Sequence, residues 1–120
     1  MLPRNNRLTA KRDFEKIKKL GAVLTLPFFI VSYLERGESS IRGPRFGFVV
    51  SSHLEKRASQ RNRLKRRLRE TVRIWLKGHR GNVSNLDLDI VFVLRRKMME
   101  ASYEGVNNLV DTLLPKIFKL

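Results

Sequence analysis

The sequence predicts one mixed α/β domain with the element order helix, three strands, helix, strand, helix. Two apolar patterns lead to this class: helical intervals of three and four residues, and short apolar runs rich in β-branched and aromatic residues. The 120 residues are 42% hydrophobic, and a chain of this size buries roughly 65% of its unfolded surface as one domain. Residues 1–120 contain no repeat, low-complexity tract or dividing linker.

The chain is predicted to begin with a loose basic arm and a helix. The arm covers residues 1–8, and Thr9 is the expected N-cap. Phe14 and Ile17 recur at helical spacing after it, and Gly21 follows the last helical residue as a stop signal.

Four strands are expected. A short strand at 22–25 precedes a longer one at 28–34, which a polar turn over 35–44 joins as a hairpin to a strand at 45–51. The last strand, 87–94, begins with alternating acidic and apolar residues and becomes wholly apolar.

The middle helix is cationic on one side and apolar on the other. It follows a connection at 52–56 and is expected to run to about Lys77, where Gly78 and Gly81 end it. Its apolar side carries Leu64, Leu68, Val72 and Trp75. Its far side carries Asn62, Arg66, Arg69 and Arg73.

The closing helix is predicted from a cap and an apolar stripe. Ser102 caps it, and Pro115 should kink it or mark its end. The stripe consists of Val106, Leu109, Val110, Leu113 and Ile117.

Charge indicates a nucleic acid partner. The formal net charge is +15 with a pI near 11.3, and a row of planar, permanently charged guanidinium groups matches successive phosphates. A solvated helix face would carry charges of both signs, whereas Glu70 is the only acidic residue between Arg61 and Arg73. A basic membrane-surface helix is the competing interpretation, but the apolar side is too narrow for an interfacial anchor.

Catalytic chemistry in this chain is not expected. Cysteine is absent, which excludes disulfides and thiol catalysis and suggests a reducing compartment. Asp87 and Asp89 could contribute to a metal site but are better interpreted as a solvated strand end. His53 and His79 could form an acid–base pair, but each lies in an ordinary polar connection.

Phe14 has two interpretations. It lies among cations that include Arg12 and Lys18, a setting suited to stacking on a nucleobase. Its helical spacing favours simple packing with Ile17 in the core, and both interpretations stay open at this point. The same choice applies to Phe29, Val31 and Tyr33, which share one face of the long strand.

The segment RNRLKRRLRE, residues 61–70, resembles the arginine-asparagine-arginine signature of the protein component of bacterial ribonuclease P. The element order is similar too. Further matching segments are Arg7-Leu8-Thr9 with Asp13-Phe14, PRFGFVVS before the signature, and Ser102 to Glu104. The resemblance covers nearly the whole chain, residues 7–118.

This resemblance implies a two-layer α/β sandwich with a four-stranded mixed sheet and a left-handed crossover between its parallel strands, against the usual right-handed rule. It implies a cytoplasmic bacterial protein that has no active site or cofactor of its own. Its partners would be a large catalytic RNA, which requires Mg²⁺, and precursor tRNA, with no membrane and no small-molecule substrate. The RNA would cleave the tRNA and release its 5′ leader.

The resemblance also implies two sets of site residues. The set facing the catalytic RNA is Arg57, Arg61, Asn62, Arg63, Lys65, Arg66, Arg69 and Arg73. The set facing the leader, in a cleft between the first helix and the sheet, is Arg12, Phe14, Lys18, Val31 and Tyr33.

The sequence departs from the family pattern in two places. Lys18 stands where a second aromatic residue is usual, and Ser52 and His53 stand where two lysines are common. Lys56 and Arg57 could supply some of the missing charge.

Three other functions are possible. A structural ribosomal protein bound to ribosomal RNA is the main alternative, because composition cannot separate it from the first interpretation. A helix-turn-helix DNA-binding protein would need a mixed polar recognition helix, whereas the polar side of this helix is mostly arginine and suits backbone contact. A stand-alone nuclease would need more convergent carboxylates.

Overall fold

The computed structural model describes residues 2–37 and 43–120 and confirms the predicted order of elements. Short 3-10 turns at Arg4–Asn6 and Arg96–Glu100 add to this order. The helices are α1 (Lys11–Leu20), α2 (Ala58–Val83) and α3 (Tyr103–Phe118). The strands are β1 (Ala22–Thr25), β2 (Phe29–Glu35), β3 (Arg45–Val49) and β4 (Leu88–Leu94).

The four strands form one mixed sheet in the order β1-β2-β4-β3. β4 is antiparallel to β2 and parallel to β3, so the predicted hairpin between β2 and β3 is wrong. The apolar run of β4 is buried on both faces and occupies the centre of the sheet, where it separates the two strands. Part of the expected turn, 38–42, lies outside the described residues. The left hand of the β3-α2-β4 crossover stays a prediction.

The two faces of the sheet bury different clusters. Ile90 and Phe92 point with Phe29 into the main core beneath α2 and α3. Val91 points the other way, where it packs with Ile17 of α1. The alternation of a strand therefore places α1 on the face opposite α2 and α3.

The N-terminal segment is packed, which corrects the prediction of a loose arm. Leu2 is fully buried, and Leu8 donates its backbone N–H to the Phe46 carbonyl at 2.8 Å. Asn6 is buried as well and donates to the Pro44 carbonyl at 2.8 Å. Residues 2–8 therefore cover the outer edge of β3.

Helix α2 continues to Val83 through both glycines that were expected to end it. Gly78 and Gly81 are exposed, and glycine inside a helix costs only about 1 kcal/mol relative to alanine. The extra turn brings Val83 into the main core, where it is fully buried. Core packing thus outweighs the local stop signal.

The other predicted boundaries have mixed outcomes. Ala10, not Thr9, is the N-cap residue of α1, and it makes no side-chain cap. The prediction for Ser102 is confirmed, since its hydroxyl accepts from the Gly105 N–H at 3.0 Å. Pro115 does not end α3, which continues to Phe118. Within 2–37 and 43–120, no helix has the length and apolarity needed to cross a membrane.

Candidate nucleic acid interface

Helix α2 is fixed by its apolar side. Leu68 and Val72 are fully buried, and Trp75 stacks on Phe118 of α3 with ring centroids 5.6 Å apart. These contacts set the rotation of the helix about its axis. They therefore determine which of its cations face outward.

Several cations on the outward side of α2 have no acidic partner among the described residues. Arg63 and Arg66 are exposed with Asn62, while Lys65 and Arg69 are half-buried. Among the described residues, no carboxylate forms an ion pair with Arg63, Arg66 or Arg69. The helix therefore presents positive charge that the described part of the protein does not neutralise.

Arg69 is in an unusual electrostatic position. Its guanidinium carbon lies 5.7 Å from the centre of the Phe48 ring. Burial, followed by the positive charges of Arg7 and Arg66, lowers the pKa of Arg69 below its ordinary value. An anion bound here would relieve that repulsion.

Three other predicted RNA-facing arginines make local contacts. Arg73 forms a two-pronged ion pair with Glu70, at 2.6 and 3.0 Å. Arg57 pairs with Glu55 at 3.0 Å, and this hydrogen bond lowers the pKa of the Glu55 carboxyl. Arg61 donates to two backbone carbonyls of the preceding connection, at 2.7 and 2.9 Å. These three contacts organise the helix and its approach.

Arg67 has a structural contact that the sequence did not reveal. It donates to the Ala101 carbonyl and lies over the Tyr103 ring, 5.4 Å from its centre. It thereby joins α2 to the start of α3. Only the tertiary neighbours distinguish it from Arg66, the adjacent residue of the same type.

A groove of about 340 Å³ crosses the outer edge of β3. Phe14 packs so closely over Gly47 that a Cβ on this glycine would lie 2.6 Å from its ring. Arg69 lines the same groove from the α2 face of the sheet, opposite the α1 face that carries Phe14. We call this surface the β3 groove, lined by Leu2, Arg7, Leu8, Thr9, Phe14, Phe46, Gly47, Phe48 and Arg69. It unites residues that the sequence assigned to two separate sites.

Of the remaining members of the predicted leader set, only Lys18 lies on the same side of α1 as Phe14. Val31 is fully buried in the main core and Tyr33 packs against that core, on the sheet face opposite α1. This corrects their grouping with Phe14, because strand alternation points both residues away from α1. Lys18 is exposed one turn after Phe14, while Arg12 lies roughly 200° around the helix from Phe14.

The two aspartates belong to one ion-pair cluster in which Asp89 is buried and Asp87 is partly buried, which corrects their interpretation as a solvated strand end. Asp89 is 4% exposed and accepts from Arg36 at 2.6 Å and from Arg45 at 2.7 and 2.8 Å. This bonding raises the pKa of Arg45. Asp87 accepts from the Gly43 N–H at 2.7 Å. Both carboxylates are therefore engaged in holding β2, β3 and β4 together.

The two histidines are far apart. His53 precedes α2, while His79 stacks on Trp75 with ring centroids 4.1 Å apart, near the helix's other end. The part of α2 between Ala58 and His79 lies between them, and it is roughly 30 Å long at the rise of an α-helix. Among the described residues, no group of three or more His, Asp or Glu side chains could hold a metal ion.

The fold and surface define a class: a small basic α/β protein that presents unneutralised arginines for a polyanion. A family model described as Ribonuclease P matches residues 2–117, so the chain belongs to that family. The ribonuclease P protein component of Synechococcus elongatus is 38% identical over 72 residues. This match spans 59% of each of the two chains.

Solved structures of similar proteins share the fold. The Staphylococcus aureus RNase P protein has a TM-score of 0.73 and 26% identity, covering 93% of this chain and 94% of that one. The Thermotoga maritima RNase P protein has a TM-score of 0.72 and 30% identity, covering 92% of this chain and 96% of that one. These similarities do not favour the structural ribosomal protein.

Proposed function

We propose that this chain is the protein subunit of ribonuclease P, acting with a large catalytic RNA in the bacterial cytoplasm. The subunit binds that RNA along α2 and assists endonucleolytic removal of the 5′ leader from precursor tRNA. The observation that carries the proposal is that Arg63, Arg66 and Arg69 of α2 form no ion pair with a described carboxylate, in a chain of this family. Fixed guanidinium groups suit phosphates of a folded RNA.

The β3 groove is the proposed leader site. Phe14 offers a half-buried ring, Lys18 lies one turn beyond it, and Arg69 adds charge. A ring beside cations is the combination that single-stranded RNA requires, since bases stack while phosphates pair. Because Arg69 also belongs to α2, the leader and the catalytic RNA would meet at this edge of the sheet.

Cleavage is assigned to the RNA and its Mg²⁺ ions. Asp87 and Asp89 are committed to backbone and arginine partners, so they are poorly suited to hold a metal. The protein's part is to bind the catalytic RNA and to orient the precursor tRNA.

Reconstitution tests this function. The purified protein alone should leave precursor tRNA uncut, and adding it to its cognate RNA should restore cleavage at moderate Mg²⁺. RNA that copurifies from its own cells should be one large structured species. Metal-dependent cutting by RNA-free protein, abolished by Asp87→Asn, would contradict the proposal. Copurified ribosomal RNA would support the structural ribosomal protein instead.

A further inference from the structure

A second cleft lies on the other side of α2, where this helix meets the start of α3. It encloses about 850 Å³ and includes Met99 and Tyr103, which are 42% and 60% exposed. Arg67 and Arg69 are two residues apart and so point roughly 200° apart around α2. This Tyr103 cleft is therefore separate from the β3 groove.

The Tyr103 ring is held in place although it is exposed. Arg67 lies over it, 5.4 Å from the ring centre, and is itself bound to the Ala101 carbonyl. The capping bond of Ser102 fixes the turn that carries Tyr103. A preorganised aromatic side chain loses little conformational entropy when a flat ligand stacks on it.

The charges of the cleft suit a nucleotide. Its two acids, Glu55 and Glu70, each have an arginine partner. Arg63 and Arg66 also line it, and among the described residues no carboxylate pairs with either. An acidic peptide would use these cations but not the ring. A nucleotide uses both, through its phosphate and its base.

We infer that the Tyr103 cleft binds an unpaired nucleotide of the RNA that α2 contacts. The base stacks on Tyr103 beside Met99, and the flanking phosphates pair with Arg63 and Arg66. Helix α2 then contacts the RNA from two sides. This inference rests on the proposed function, because it takes the large RNA as the partner.

Two substitutions at Tyr103 separate stacking from charge. Tyr103→Leu should weaken binding of the full-length protein to the large RNA by roughly 5- to 100-fold, whereas Tyr103→Phe, which keeps the ring, should stay within about twofold. Tyr103→Leu should leave the salt dependence unchanged, since no phosphate contact is lost. Ile74→Ala is the matched control: Ile74 is 57% exposed on α2 but does not line the cleft.

Cross-linking keeps the test decisive if Tyr103→Leu lowers the melting temperature. A photoreactive phenylalanine analogue at position 103 should cross-link to one unpaired nucleotide of the large RNA. Unchanged affinity in Tyr103→Leu, or equal losses in the leucine and phenylalanine variants, would overturn the inference. So would cross-links to a second copy of the protein. If the unmodified protein did not bind the large RNA, the proposed function itself would fail.

Discussion

Arginines in two regions of this protein have opposite surroundings. At the start of β4, Arg36 and Arg45 have side chains only 8% and 13% exposed, and both meet the Asp89 carboxylate. On α2, Arg66 is exposed, and the described residues offer it no carboxylate. One set holds the sheet together, while the other is available to a partner.

This difference shows why net charge does not locate a site. With 26 Lys and Arg residues against 11 Asp and Glu, most cations cannot have a carboxylate of their own. The fold decides which ones do, by burying the strand ends where Asp87 and Asp89 lie. The positions of the acids therefore identify the interface as much as those of the arginines.

The largest expected effect comes from breaking the buried set. Asp89→Asn should lower the free energy of unfolding by about 3–5 kcal/mol, because it removes the charge of the carboxylate that both buried guanidinium groups contact at 2.6–2.8 Å. Urea unfolding measures this, with Asp111→Asn on the exposed side of α3 as the control. The salt dependence of RNA binding by the folded protein should not change. A loss below 1 kcal/mol would show that the cluster is not structural.

The next effect concerns Phe14. Phe14→Ala should weaken binding of precursor tRNA by about 1–3 kcal/mol and leave mature tRNA, which has no leader, unaffected. A purely core phenylalanine would instead lose roughly 3–5 kcal/mol of stability without altering substrate preference. Affinity for both tRNAs, measured beside the melting temperature, separates the two roles.

Gly47→Ala provides a matched variant that keeps the ring. The added methyl group would lie 2.6 Å from the ring of Phe14 and must displace it. Preference for precursor over mature tRNA should fall, while the melting temperature should fall less than in Phe14→Ala. If both variants kept the preference for precursor over mature tRNA, Phe14 would have only a packing role.

Salt dependence distinguishes paired from unpaired arginines within α2. Arg66→Ala and Arg69→Ala should each reduce the slope of log affinity against log salt by about one unit, because each phosphate contact releases a counterion. Arg73→Ala should change it less, since Glu70 already holds that guanidinium. Lys116→Ala, on α3, is the outside control. Equal changes in all four variants would indicate a diffuse charge cloud.

The smallest effect tests the Glu70–Arg73 pair. The hydrogen bond from Arg73 lowers the pKa of Glu70. A carboxyl whose pKa is lower in the folded state stabilises the fold above its unfolded pKa and loses this contribution as pH falls through the folded pKa. Glu70→Gln should therefore be slightly less stable at neutral pH, and the deficit should shrink as the pH falls below the ordinary pKa of a glutamate, about 4.3. Denaturant unfolding at a series of pH values measures it.

The sequence predicted those features that local spacing controls. The order of elements and the buried side of α2 follow from residues three or four apart, such as Leu64 and Leu68. The strand order does not follow from such local spacing, because β4 enters the sheet from a distant part of the chain. Likewise, alternation put Val31 and Tyr33 on one face, but nothing in β2 reveals which face α1 will cover.

The candidate site was predicted only in part, for the same reason. The arginines of α2 were visible as a row, but their partners were not: Arg73 has Glu70, and Arg67 has Ala101 and Tyr103. The β3 groove requires the N-terminal segment, α1 and α2 to meet at one edge. Such a meeting depends on tertiary packing that residue spacing does not encode.

The central position of β4 also has a consequence for biosynthesis. A nascent chain leaves the ribosome N-terminus first, so the whole of α2 is made before the strand that joins β2 to β3. Long-range closure of this kind is slow relative to helix formation. We therefore expect the cationic helix to form before the sheet that orients it is complete. A chain that stopped before residue 88 would carry the arginines of α2 without the scaffold that sets their direction.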